Sequence, residues 1–528
     1  MTGPLHHPCD KAAIQHGSEA APCTAATKRW VLATAILGSG MAFIDGTVVN
    51  VALPAIQAQL HASLHQVQWV VESYALLLAA LLLLGGALGD RFGRRRIFVL
   101  GVSIFGLASV LCGLSKDVNQ LIVARSLQGV GAALLVPGSL ALISASFPQK
   151  ERGQAIGTWA GFSGITAAVG PVIGGWLIDH YSWAWAFLVN APIAAGVVAM
   201  AILKVPESRD RQAARRLDWL GASLVTLGLG GIVFALIEAP ARQWHSWPVL
   251  AALLLGLVSM GVFASVERRT PQPMLPLHFF HDPIFTGANV LTLLVYAALG
   301  GGLFFVPLAL IQVHGLPAAA AGAALLPFVL VMFSLSRWAG GLVERVGPRK
   351  PLFVGPVIAG AGFAMLWLPS VEASYWTGFL PGILVLGVGM SITVAPLTTV
   401  VMNAAGTDSA GVASGINNAV SRAAGVLAIA ALGALMAWRF EAALQELLAQ
   451  HNVPDYLASQ VLVQQSRLAA IDLPAGIDSA VRALAQRAIH EAFVSGYRWV
   501  MAASAALCVL GGAVAGVLMR PEALRRDG

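Results

Sequence analysis

Three ionisable residues stand where charge is expensive. Asp45 separates two stretches, 30–44 and 46–71, that contain no Asp, Glu, Lys or Arg, and Glu72 directly follows the second. Arg125 immediately precedes a third such stretch, 126–149. A charge held in the middle of a bilayer costs a few kcal/mol or more, so each of these needs a reason. The chemistry open to such a set is proton exchange. Burial disfavours the charge on a carboxylate, and a neighbouring guanidinium restores it. Balanced between the two effects, Asp45 can take up and release one proton per working cycle. The competing reading is a static Asp45–Arg125 pair that only holds helices together. A purely structural pair could be replaced by apolar packing at little loss, so proton coupling by Asp45 and Arg125 is preferred. Glu72 fits the same role equally as well as it fits a side chain reaching interfacial water.

The elements that position these residues follow from composition. Of 528 residues, 57% are hydrophobic and 11% charged, against about 25% charged in an ordinary soluble protein. Mean hydropathy is +0.76 and net charge +7. Further runs without Asp, Glu, Lys or Arg cover 97–115, 153–178 and 283–336, and a membrane helix needs about 20 apolar residues. Soluble enzyme, nucleic-acid binder and secreted disulfide domain are excluded. The reading is an all-α polytopic membrane protein with fourteen spans, the first at 30–52 and the last two at 410–437 and 497–519. In this scheme 22 Lys and Arg lie in the tails and short loops on the side of the N-terminus, against Lys116 and Arg242 in the short loops opposite. That contrast puts both termini in the cytoplasm and the chain in the cell membrane. It also explains the basic balance without nucleic acid. At 1.5 Å per residue, Asp45, Arg125 and Glu72 lie roughly 13, 9 and 7 Å below the outer ends of their spans.

A repeat organises the chain. Residues Gly86-Ala87-Leu88-Gly89-Asp90-Arg91-Phe92-Gly93-Arg94-Arg95-Arg96 align at a constant offset with Gly340-Gly341-Leu342-Val343-Glu344-Arg345-Val346-Gly347-Pro348-Arg349-Lys350, acid on acid and glycine on glycine. Each follows the second span of a six-span block, and two parallel halves around a site are a transporter's plan. The expected domains are a disordered cytoplasmic tail (1–27), an N-terminal six-helix bundle (28–204) and a linker with two inserted helices (205–270). A C-terminal six-helix bundle (271–519) with an outer loop at 438–496 and a tail (520–528) complete it. Phe440, Leu444, Leu447 and Leu448 suggest that the outer loop forms short amphipathic helices capping the protein or lying at the lipid surface. Cys9, Cys23, Cys112 and Cys508 form neither a disulfide framework nor a metal spacing. No phosphate-binding or nucleotide-binding glycine motif is present, so no cofactor is expected and an ion gradient supplies the energy.

These residues resemble the major facilitator superfamily, specifically its fourteen-helix drug:proton antiporter branch. Four motifs carry the likeness over residues 30–437. Residues 86–96 match the cytoplasmic signature between spans two and three. The string Phe43-Ile44-Asp45-Gly46-Thr47-Val48-Val49-Asn50-Val51-Ala52-Leu53-Pro54 is similar to the span-one motif of the branch. Leu121-Ile122-Val123-Ala124-Arg125-Ser126-Leu127-Gln128-Gly129-Val130-Gly131-Ala132-Ala133 is similar to its span-four motif. Gly170-Pro171-Val172-Ile173-Gly174-Gly175 matches the span-five signature of antiporters. The resemblance implies two six-helix bundles with two inserted central helices. It implies a conformational switch built from Gly86, Gly89, Asp90, Arg91, Gly93 and Arg94, with Asp90 pairing Arg91 or Arg94, and from Gly170, Pro171, Gly174 and Gly175. Thr166 and Ala184 depart from the usual glycine and arginine of the branch. The implied function is a proton-driven exporter of lipophilic or cationic small molecules, not an enzyme, acting as a monomer in the lipid bilayer. Candidate substrate contacts are Phe43, Tyr74, Phe162, Tyr296, Phe304, Gln312, Asn417 and Arg422. Rival readings are an exporter of an endogenous metabolite or lipid, and a membrane-embedded enzyme.

Overall fold

A computed structural model describes residues 23–209, 218–270, 273, 275–404 and 410–519, and the described residues contain helices and no strand. Fourteen long helices run in order among the described residues. They are α1 (Ala25–Gln59), α2 (Leu64–Phe92), α3 (Arg94–Gly113), α4 (Val118–Ser146), α5 (Gln149–His180) and α6 (Trp185–Lys204). Then come α7 (Trp219–Arg242), α8 (Trp247–Arg269), α9 (Pro283–Val313), α10 (Ala318–Gly340), α11 (Arg349–Leu366) and α12 (Tyr375–Ala404). The last are α13 (Ala410–Gln450) and α14 (Ser479–Leu518). Among the described residues, thirteen helices are long and apolar enough to cross a bilayer. The fourteenth, α11, is 18 residues long and gives its first two positions to Arg349 and Lys350, which dilute its hydropathy. The chain is a multi-pass membrane protein.

One expectation needs correction. The segment 438–496 is not a set of separate short helices, because α13 continues to Gln450 and α14 begins at Ser479. Phe440, Leu444 and Leu448 are buried, as are Ala485, Ala488, Ile489 and Phe493, and α13 packs on α14. Their apolar stripes therefore face protein, and only Asp455–Val463 and the turn Gln465–Ala470 are separate elements. Cys23 is disulfide-bonded, and Cys112 and Cys508 are free and buried.

The helices group into two compact units. The first takes the described parts of Met1–Val49, Ser73–Thr226 and Thr270–Met274. Lipid tails are as apolar as leucine, so its helices associate through close packing rather than by escaping water. Small residues supply that closeness: a Cβ on Gly101 of α3 would lie 2.8 Å from the Leu135 nitrogen of α4. One on Gly131 of α4 would lie 2.6 Å from the Phe105 nitrogen of α3. Around this crossing, Phe98, Val102 and Phe105 of α3 bury against Ala132, Leu135, Tyr74 and Val197.

The second unit takes the described parts of Asn50–Glu72, Leu227–Arg269 and Leu275–Gly528. There α9 packs on α13 and α14, α11 on α12 and α14, and α10 on α12. Gly231 and Gly256 bring α7 and α8 together as a hairpin. The end of α1 and the start of α2 join this unit through side-chain amides. Gln57 donates to the Arg467 carbonyl at 2.9 Å and accepts from Gln312 at 2.9 Å. Gln68 donates to the Ile429 carbonyl at 2.8 Å.

Candidate functional site

Asp45 and Arg125 meet in the first unit, both 0% exposed. Arg125 sits one turn before Gln128 on α4, and side chains three apart share a helix face. The Nη1 group of Arg125 donates to Asp45 Oδ2 at 2.5 Å and to Gln128 Oε1 at 2.7 Å. With its oxygen so engaged, the Gln128 amide presents its nitrogen, which donates to Asp45 Oδ1 at 2.7 Å and to Ser109 Oγ at 3.0 Å. Asn190 of α6 donates to Asp45 Oδ1 at 3.3 Å and to Ser109 Oγ at 3.0 Å. Ser109 thus accepts twice, and its own hydrogen goes to the Phe187 carbonyl at 3.1 Å. The guanidinium carbon of Arg125 lies 4.2 Å from the Tyr74 ring centre and 5.6 Å from that of Phe187. Tyr74 itself donates to the Ala42 carbonyl at 3.4 Å.

This network has a direction. Every group that touches the Asp45 carboxyl is a donor, so the cage accommodates the anion. A proton arriving on Asp45 would point a hydroxyl at a donor and must displace one of them. Sequence reasoning found the pair but missed Gln128, Ser109 and Asn190. Gln128 was recoverable from its place three residues after Arg125; Asn190 could be suspected as a polar residue in an apolar span. Nothing in the sequence sets Ser109 apart.

Glu72 falls in the second unit. It is 0% exposed, and neither carboxyl oxygen has a hydrogen-bond partner among the described residues. One turn earlier, Trp69 donates to Glu238 Oε1 at 3.1 Å, and Glu238 also accepts from Arg242 at 2.7 Å.

The first signature loop has a partner that sequence reasoning also missed. Asp90 pairs with Arg94 at 2.8 Å, whereas Arg91 lies 5.2 Å from the centre of the Phe92 ring. A helix start leaves backbone N–H groups unpaired, and Gly93 has no side chain to cap α3. Glu207, just beyond α6, fills the gap by accepting from Arg95 N at 3.0 Å and Arg96 N at 3.2 Å. The Ser208 carbonyl takes Arg94 N at 2.8 Å. Gly93 has φ +116°, and a Cβ there would lie 2.8 Å from the Glu207 carboxyl carbon. Gly347, its counterpart in the repeat, has φ +76° with open space around it. Gly86 and Gly89 make no close approach. In the span-five motif, Gly170, Pro171, Gly174 and Gly175 are buried. A Cβ on Gly170 would lie 2.9 Å from Thr47 Oγ1, and one on Gly174 would overlap Val48, so α5 lies tight against α1.

The remaining sequence candidates scatter. Phe43 lies edge-on to Trp159, with ring centres 6.3 Å apart. Phe162 is 49% exposed on α5. In the second unit, Phe304 is core, packed on Phe305, and Tyr296 and Arg422 are half-buried. Asn417 donates to Thr292 Oγ1 at 2.6 Å and Asn289 Oδ1 at 3.2 Å, joining α13 to α9.

Comparison with known proteins places this architecture. Residues 35–429 match the Major Facilitator Superfamily. The Tetracenomycin C resistance and export protein of Streptomyces glaucescens is 32% identical over 489 residues, 92% of this chain and 90% of that one. Multidrug resistance protein Stp of Mycobacterium tuberculosis (strain CDC 1551 / Oshkosh) is 36% identical over 429 residues, 81% of this chain and 79% of that one. A crystal structure of a bacterial homolog of the human lysosomal transporter Spinster, inward-facing and unoccupied, superposes with TM-score 0.61. It covers 94% of this chain and 97% of that one at 19% identity, a likeness of fold alone. Fourteen helices with a repeated loop and a polar centre buried in apolar surroundings define a transporter. The chain belongs to the Major Facilitator Superfamily, and the resistance proteins among its relatives agree with the drug:proton antiporter branch.

Proposed function

We propose that the chain is a multidrug efflux transporter that exchanges protons for lipophilic or cationic small molecules, with Asp45 as the proton-exchanging group. The names of its relatives, a tetracenomycin C exporter and a multidrug resistance protein, support the substrate class. The observation that carries the proton reading is the cage: a fully buried carboxylate met only by donors, one of them a guanidinium. Protonation removes the charge that holds Arg125, and Gln128 is already placed to keep the guanidinium company at 2.7 Å. Loosening this contact between α1 and α4 biases the protein toward its other state. Proton and substrate then compete through their different affinities for two states. The transporter works as a monomer in the cell membrane with both termini in the cytoplasm, in keeping with the basic residues gathered on that side.

Everted membrane vesicles test the function. Proton-driven uptake of ethidium and of tetracenomycin C should collapse with an uncoupler and be absent in Asp45→Asn, with the variant inserted at normal levels. Uphill uptake that persists in Asp45→Asn, or that ignores the uncoupler, discards the assignment.

A further inference from the structure

Glu72 is unlike any other acid described in the protein. It is fully buried eight residues into α2, roughly 12 Å along the helix from Leu64, with both carboxyl oxygens unpartnered. An ionised carboxylate buried without a donor is very costly, and such a group neutralises instead. The charged and titratable groups on neighbouring elements are accounted for without it. On α7, Glu238 takes Trp69 and Arg242; on α13, Glu441 takes Gln465 at 2.9 Å. His65, two turns back on α2, bonds Ser63 at 2.8 Å. The cations on α13 are Arg439, whose guanidinium lies 4.2 Å from the centre of the Trp499 ring, and Arg422, seven residues before the Ile429 carbonyl that holds Gln68. Side chains four apart lie one above the other on a helix, so Glu72 continues the face on which Gln68 meets α13. A metal ion would need several oxygen ligands, and among the described residues no group of three or more His, Cys, Asp or Glu side chains could hold one. A proton is the one cation that a single carboxyl holds unaided.

We propose that Glu72 is a second proton-binding site, carrying its proton in the conformation described here while Asp45 carries none. Both acids take up a proton from outside and release it inside, Glu72 holding its proton over more of the cycle than Asp45, so each substrate exported is exchanged for a proton at both. This rests on the reading of Asp45 as the coupling acid and adds a stoichiometry to it.

The test is the proton-to-ethidium ratio, found in proteoliposomes from the pH difference that just balances an imposed ethidium gradient with the membrane potential clamped at zero. Glu72→Gln should keep uphill transport with the ratio lowered by about one proton. At a pH difference of about one unit, that lowers the limiting ethidium gradient about tenfold. Glu72→Asp, which keeps the carboxyl, should restore the wild-type ratio. A ratio unchanged in Glu72→Gln overturns the proposal. Asp45→Asn tests the underlying reading separately: uphill transport that persists there discards Asp45 as the coupling acid, whereas its loss together with an unchanged ratio in Glu72→Gln overturns the second site alone. Infrared difference spectra give a readout independent of transport. The C=O band of a buried protonated carboxyl should be present in wild type and Asp45→Asn and missing in Glu72→Gln; its retention in Glu72→Gln also overturns the proposal.

Discussion

Asp45 and Glu72 are both fully buried carboxyls on apolar helices, yet their surroundings are opposites. Asp45 receives Arg125, Gln128 and Asn190, and its cage is completed by Ser109. Glu72 receives nothing among the described residues. In the first unit buried polar groups converge on the charge of Asp45. In the second, Trp69 and Arg242 converge on Glu238, while the bonds among Asn417, Asn289 and Thr292, and between Gln57 and Gln312, are between neutral groups. Burial alone therefore says little about what an acid does in a membrane protein; the donors around it decide whether it is held as an anion or as an acid.

The comparison can be broken first at Arg125. Arg125→Ala should cost about 3–5 kcal/mol, the penalty for stranding a buried charge, read as a fall in thermal unfolding temperature in detergent along with loss of proton-driven transport. Arg125→Lys should recover part of the stability and less of the transport, because a shorter side chain ending in a compact ammonium does not reproduce the planar guanidinium that reaches Asp45 and Gln128 through Nη1 while lying over Tyr74. Next comes Gln128→Ala, which removes one of the donors on Asp45 and should cost about 1–3 kcal/mol. In the repeated loops, Gly93→Ala should cost about 1–2 kcal/mol from its left-handed backbone, with the clash against Glu207 added. Gly347→Ala carries the strain without the clash, so a transport rate lowered more by the first than by the second is expected. Smallest is Asn289→Ala in the neutral network of the second unit. It should cost about 1 kcal/mol and leave the proton-to-ethidium ratio where it was.

Much of this is legible in the amino-acid sequence. Long uncharged runs announce the spans, and a charge inside such a run announces itself, so Asp45, Arg125 and Glu72 could be picked out. Their depth could be counted from span ends, but not the direction in which each side chain points. That is why Arg125 and Asp45 could be suspected of pairing while the isolation of Glu72 could not be foreseen. Neutral polar residues are quieter still. Ser109 and Asn190 matter because helix packing turns them toward one carboxylate, and serine or asparagine in an apolar helix has many other uses. The length of α13 and α14 was misjudged for a related reason. Their extramembrane stripes of leucine and phenylalanine read as surface-seeking until the two helices are seen to cover each other. Glu207 escaped because a cap supplied from a distant part of the chain leaves no local pattern.

The most direct test of the central claim is proton release from the purified transporter on adding ethidium, followed with a pH-sensitive dye in weakly buffered detergent solution. If Asp45 exchanges its proton against substrate, wild type releases protons, and Asp45→Asn releases about one fewer per ethidium bound. Release from Asp45→Asn equal to that from wild type, at matched ethidium occupancy, would contradict the account.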